Sequence, residues 1–231
     1  MAAMAKHTKS LQTESQEDST TSAPVVSDPG SPLSSDTAAA EAAELNLSNH
    51  FLIAMPSLQD PVFAGAVVYL CEHNPRGAMG LVINRPTDLN VAGLFDRIDL
   101  KLENIPDSHP MGKHAVMFGG PVQDDRGFVL HAPAGKYSSS LKVTTEVAFT
   151  TSRDVLEAVA AGDGPEKVLI SVGYAGWGAG QLEKELLANS WLTVPAQTDI
   201  LFDLPVEERY QAAIRLLGID PWMLTAEAGH A

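Results

Sequence analysis

Apolar and polar positions divide the chain near Asn49. Residues 1–46 are rich in Ser, Thr, Ala, Glu and Asp and contain no aromatic residue. Such a segment cannot bury enough apolar area to offset its ordering entropy, so a disordered acidic and polar tail is expected, with only 38–45 able to turn helical transiently. The pattern then changes: His50-Phe-Leu-Ile-Ala-Met-Pro56 predicts a short buried strand ended by proline. Residues 62–73 and 78–85 predict two strands joined by Asn74-Pro-Arg-Gly77 into a hairpin. Val91, Leu94, Phe95 and Ile98 recur at helical spacing behind Asp88 and Asn90, two possible N-caps.

Further strands are expected at 115–118, 128–131 and 142–150. Ser152 is placed to cap a helix through Ala161, with Val155, Leu156, Val159 and Ala160 as its stripe and Gly162 at its end. Lys167-Val-Leu-Ile-Ser-Val172 is the most β-like run; Gly173-Tyr-Ala-Gly-Trp-Gly-Ala-Gly180 follows and reads as a loop into a helix over 181–188. Short extended pieces are expected at 191–194 and 200–202, then a last helix opened by Pro205 with Tyr210, Ala213, Ile214 and Leu217 on one face. Strands dominate up to residue 150 and alternate only loosely with helices afterwards, which predicts an α+β fold. One domain over 47–224 is expected, with a flexible C-terminus at 225–231.

Charge and cysteine content narrow the function. The 231 residues carry a formal net charge of −14, from 29 acidic and 15 basic residues. The tail accounts for −5 of this and the remaining 185 residues for −9. Nucleic-acid binding draws its affinity from basic patches that neutralise phosphate, so DNA or RNA is a disfavoured partner. A single cysteine, Cys71, forms no internal disulfide and no CxxC site, which points to a reducing cytoplasmic setting. No apolar run reaches the ~20 residues of a membrane-spanning helix, and no secretory signal is legible.

If 74–77 form a four-residue loop, paired residue numbers across the hairpin sum to a constant that sets Cys71 opposite Gly80 and Tyr69 opposite Val82. Val67, Tyr69, Cys71, His73, Ala78, Gly80, Val82 and Asn84 then share one face, and the opposite face is the stronger core candidate. Cys71, His73 and Asn84 become a candidate site. A Cys-His dyad is marginal, because residues two apart on a strand stand ~6.5 Å or more apart. A buried cysteine acting as a small hydrophobe is the simpler reading. Gly173, Tyr174, Gly176, Trp177 and Gly178 form a second candidate, since a glycine-rich strand-to-helix loop can hold an anion. The spacing is neither a Walker loop nor a regular GxGxxG, and tight turning explains it as well. No HxH or HExxH spacing occurs among the seven histidines, so no metal site or cofactor is expected. Ser138-Ser-Ser140 has no adjacent base and no GxSxG elbow exists. Glu183 and Glu185, two apart on a helix, read as a solvated face.

The run Cys71-Glu-His-Asn-Pro-Arg-Gly-Ala-Met-Gly-Leu-Val-Ile-Asn-Arg-Pro86, then Gly119-Gly-Pro-Val122, Gly173-Tyr-Ala-Gly-Trp-Gly-Ala-Gly-Gln-Leu-Glu183 and Asn189-Ser-Trp-Leu192, resembles the AlgH/YqgE family of bacterial proteins over about 47–222. The resemblance implies an α+β fold whose bifurcated mixed β-sheet curls into a pseudo-barrel with flanking helices. It implies no established activity and no agreed catalytic residues, although members have been labelled transcriptional regulators. The expectation is a cytoplasmic, non-enzymatic binding or regulatory protein acting on an unknown protein or small-molecule ligand, of unspecified oligomeric state. The alternatives are a small-molecule or nucleotide-binding enzyme using the Cys71 face and the 173–180 segment and, third, a regulator that contacts DNA directly.

Overall fold

The computed structural model describes residues 46–101 and 110–219, which all belong to the compact unit Ala43–Ala231. The expected tail up to residue 45 and the expected flexible C-terminus at 225–231 lie outside the described residues. Ten strands form one sheet: β1 (His50–Ala54), β2 (Val67–Asn74), β3 (Gly77–Val82), β4 (Pro86–Asn90), β5 (Ala115–Phe118), β6 (Val122–Ala132), β7 (Ser140–Lys142), β8 (Ala148–Thr150), β9 (Lys167–Gly178) and β10 (Trp191–Pro195). The helices are α1 (Val91–Arg97), α2 (Pro110–Lys113), α3 (Asp154–Ala161), α4 (Gln181–Leu187), α5 (Thr198–Phe202) and α6 (Arg209–Arg215), with a 3-10 turn at Val206–Glu208. The fold is α+β, a curled half-barrel sheet with flanking helices.

The strand order is β10-β1-β2-β3-β9-β6-β8-β7, with β4 joined through β5 to β9. Strand β9 is where the sheet forks. Its first half pairs antiparallel with β6 and, at Ser171 and Val172, parallel with β5; its second half, from Ala175 to Gly178, pairs antiparallel with β3. Backbones crowd at the fork. Gly119 N–H donates to Val172 O, and Gly119 O accepts from Val82 N–H. A Cβ on Gly173 (φ +70°) would collide with the Gly120 carbonyl oxygen, and one on Gly120 with the Tyr174 backbone, so only glycines pass here. The expected 173–180 loop is therefore strand as far as Gly178, because β3 supplies its ladder.

Both faces of β1, β2 and β3 are buried. Phe51, Tyr69, Leu81, Leu130 and Phe149 pack inward with Ile200, Leu201 and Ile214 from α5 and α6. Leu52, Val68, Leu70 and Val82 pack on the other side with Trp177, Trp191 and Leu182. Helices α1 and α3 cover Val116, Val129 and Ile170 in a third cluster. With five consecutive buried residues from Val67 to Cys71, that part of β2 offers no polar face, so the expected division into a core side and a site side does not hold there.

Local chemistry moves several expected boundaries. Asp60 Oδ1 accepts from the Val62 and Phe63 N–H groups, which turns the chain before β2 and delays its start to Val67. Thr144 Oγ1 accepts from Glu146 and Val147 N–H, splitting the strand expected over 142–150 into β7 and β8. The piece expected to be extended at 200–202 lies in α5, where Ile200 and Leu201 are both buried. Asn90 caps α1 as expected, accepting from Gly93 N–H at 2.8 Å. Ser152 instead donates to Asp154, whose carboxylate also receives the Ser138 N–H and hydroxyl. These bonds, that from Ser152 foremost, hold the Asp154 carboxyl down to about 2.

Candidate functional site

The hairpin register follows the expected pairing only near the turn. Asn74, His73 and Glu72 oppose Gly77, Ala78 and Met79, but Leu70 then opposes Gly80 and Tyr69 opposes Leu81. Cys71 is the extra residue of a β-bulge, so it does not face Gly80, and Tyr69 does not face Val82. A side chain on Gly80 would strike the Tyr69 carbonyl oxygen, with its Cβ at 2.5 Å. The space over Gly80 is thus taken by the β2 backbone and does not open toward the sulfur.

Cys71 is 2 % exposed and lies in the inner core, its thiol 3.8 Å from the Tyr69 carbonyl oxygen. Burial first, and the neighbouring Glu72 charge second, push that thiol far above its ordinary range, so it stays protonated at neutral pH. His73 turns to the other side of the strand. Its Nδ1 accepts from Leu47 N–H at 3.1 Å and its Nε2 meets Glu183 Oε1 at 3.0 Å, which fixes the Nε2–H tautomer in the neutral ring. The Glu183 carboxyl is held below its ordinary value by its own backbone N–H and by the His73 bond. Asn84 accepts from Val67 N–H at 2.8 Å and donates to Gly65 O at 2.9 Å, tying down the turn before β2. Cys71, His73 and Asn84 therefore do not converge on one point.

The second candidate lies against the hairpin. An open groove of about 460 Å³ is lined by Glu72, Asn74, Arg76, Met79, Val122 and Tyr174, with Gly176 and Trp177 in its floor. Tyr174 stands edge-on to Phe128, ring centres 5.4 Å apart. Trp177 is buried beneath and donates to Glu185 Oε2 at 2.9 Å; the same oxygen accepts from Trp191 Nε1 at 2.9 Å, and Gln181 holds Oε1 at 3.0 Å. Glu183 and Glu185 are thus not a solvated face; each fastens α4 to a buried ring of the sheet. Gly173 serves backbone approach at the fork, and Gly77, opposite Gly178, does so against the Trp177 carbonyl oxygen. Arg76 at the hairpin tip is exposed and has no ion-pair partner among the described residues. Sequence reasoning missed Arg76, Met79 and Val122 as groove residues. The signal within reach was the Asn-Pro-Arg-Gly turn, which projects Arg76 beside whichever strand pairs with β3. No group of three or more His, Cys, Asp or Glu side chains suited to a metal ion occurs among the described residues.

Residues 51–222, which span the hairpin, the fork and the glycine-rich strand, match a family model described as AlgH-like. The chain belongs to the AlgH-like family. A UPF0301 protein of Ralstonia nicotianae is 61% identical over 189 residues, covering 82% of this chain and 97% of that protein. A UPF0301 protein of Cupriavidus pinatubonensis is 63% identical with the same coverage. The solution structure of the AlgH protein from Pseudomonas aeruginosa superposes with a TM-score of 0.65 at 54% identity, covering 83% of this chain and 99% of that one. A protein of Corynebacterium diphtheriae shares the fold at 17% identity, TM-score 0.58, over 73% of this chain and 86% of that one. The matched span takes in nearly all of the described residues, and the site residues read from the sequence sit inside it.

Proposed function

We propose that this AlgH-like chain is a cytoplasmic, non-enzymatic binding protein that engages a protein partner through the groove between the β2–β3 hairpin tip and the second half of β9. The single observation that carries the reading is this groove: an open surface with an exposed cation at its rim, Arg76, and apolar side chains, Met79, Val122 and Tyr174, in its wall. Open, mixed surfaces of this kind suit side chains of another protein better than an enclosed small molecule. Two observations weigh against the enzymatic alternative: Cys71 is buried, which pushes its thiol far above the ordinary range, and 173–178 is strand. The net charge of −14 argues against direct DNA contact. Among the described residues no helix is long and apolar enough to cross a membrane.

A photo-crosslinking side chain at position 76 of the full chain, compared in living cells with one at the exposed Glu157, tests the reading. Discrete adducts at 76 that disappear on Tyr174→Ala in a variant that still melts cooperatively are expected. Equal labelling from both positions would overturn it.

A further inference from the structure

A second cavity lies on the other branch of the fork, away from the groove and independent of the function proposed for it. It encloses about 260 Å³ between the start of α1, β5, the first half of β9 and the strap Phe202–Val206 that joins α5 to α6. Met117, Ile170, Phe202 and Val206 give it apolar walls. Arg209 is its cation. The residue is only 6 % exposed, yet among the described residues it meets no carboxylate. Its guanidinium is instead held by two backbone carbonyls: Nη1 donates to Ile83 O at 2.6 Å and Nε to Leu204 O at 3.1 Å. Those bonds use two of the five N–H donors of the group and fix its plane. Burial lowers the guanidinium to about 10, against the opposing pull of Glu207, so it remains charged at neutral pH.

A buried cation without a carboxylate partner is costly unless an anion meets it, and a guanidinium is best matched by a planar two-oxygen anion. The volume corresponds to roughly nine water volumes, enough for a compact ligand of similar heavy-atom count. Charged groups of both signs surround the mouth, and His114 also lies in the lining. Asp203 lies in the lining, already bonded to Lys167 Nζ at 2.6 Å, and Glu207 stands near Arg209. A monoanion matches the single guanidinium, whereas a phosphate dianion would leave a second negative charge beside Asp203 and Glu207.

We propose that this cavity binds a small amphiphilic carboxylate, its carboxylate on Arg209 and its apolar body between Met117, Ile170 and Phe202. Benzoate and hexanoate are suitable probes, with benzamide as the uncharged comparison and inorganic phosphate as the competing anion. Amide-resolved NMR titration of the full chain should give saturable shifts centred on Val91, Met117, Ile170, Phe202 and Arg209, with benzoate at least ~10-fold tighter than benzamide. Because Arg209 also ties Ile83 and Leu204 together, its removal can unfold the chain. Val206→Phe adds bulk to the cavity wall while keeping the Arg209 side chain, and it should abolish the benzoate shifts. The proposal falls if neither acid gives saturable shifts, if the shifts centre elsewhere, if Val206→Phe leaves them intact, if benzamide binds equally well, or if phosphate displaces benzoate at equal concentration.

Discussion

The two halves of β9 belong to one strand but are built on opposite principles. From Lys167 to Val172 the strand is a run of β-branched and aliphatic residues, stabilised by side chains such as Leu169 and Ile170 that bury on either face. From Gly173 to Gly178 it alternates glycine with Tyr174, Ala175 and Trp177, and it is held by how closely other backbones approach. The first half resists change by packing along its length, and the second only where a neighbouring backbone presses on it, as at Gly173. The two kinds of order give different mutational signatures.

The sharpest test of this contrast lies at the junction. Gly173→Val combines a left-handed backbone with a collision against the Gly120 carbonyl oxygen, and it should cost about 4 kcal/mol or prevent folding. Ile170→Ala, which leaves a cavity but breaks no backbone contact, should cost about 2–4 kcal/mol and keep the chain folded. Urea unfolding of both variants measures the difference, and a mild Gly173→Val would remove the distinction. Next in size, Glu185→Ala strands the Trp177 and Trp191 N–H groups beneath the second half, for a loss of about 2 kcal/mol and a shift in indole fluorescence.

Acid should act through the first half. His131, opposite Val168, is fully buried between the Pro133 carbonyl oxygen and Thr150 Oγ1, and burial lowers its proton affinity below the ordinary 6.5. The unfolded chain takes up that proton and the folded chain resists it. Stability is therefore complete above pH 6.5 and declines as the pH falls from there toward the lowered folded value, by at most about 1.4 kcal/mol per pH unit. The depressed carboxyls of Asp154 and Glu183 act only below the normal carboxylate range. Thermal melts between pH 7.5 and 5.5 should show the decline, and His131→Gln should flatten it. The smallest effect belongs to Gly176→Ala. Its new methyl would meet side chains alone, the Tyr174 ring at 3.2 Å and Val122 at 3.7 Å, so a change within about 0.5 kcal/mol is expected, against the large loss at Gly173.

These contrasts also explain what the sequence could reveal. Lys167–Val172 and the capped α1 were legible because their signals are local: β-branched runs and an Asn three residues before the amide it holds. The second half of β9 was not legible, because glycines signal a turn unless a partner strand is known to press against them. The Cys71 bulge escaped for a related reason. One extra residue in β2 leaves the apolar run unchanged while reversing every pairing beyond it. Of the candidate site, the 174–177 segment was placed on the groove, whereas His73 and Asn84 hold neighbouring loops. Arg209 carried no local mark at all, since the carbonyl that holds it most closely belongs to Ile83, 126 positions away.

The bulge that buries Cys71 also equips the chain with an internal clock. The thiol has no path to solvent unless β2 parts from its neighbours, so an alkylating reagent can label it only as often as that region opens. With one cysteine in 231 residues, the fraction labelled over time reports the opening equilibrium without purification or an added dye. Stability of the chain, and its change when a ligand or partner binds, can therefore be followed by mass alone in a crude extract.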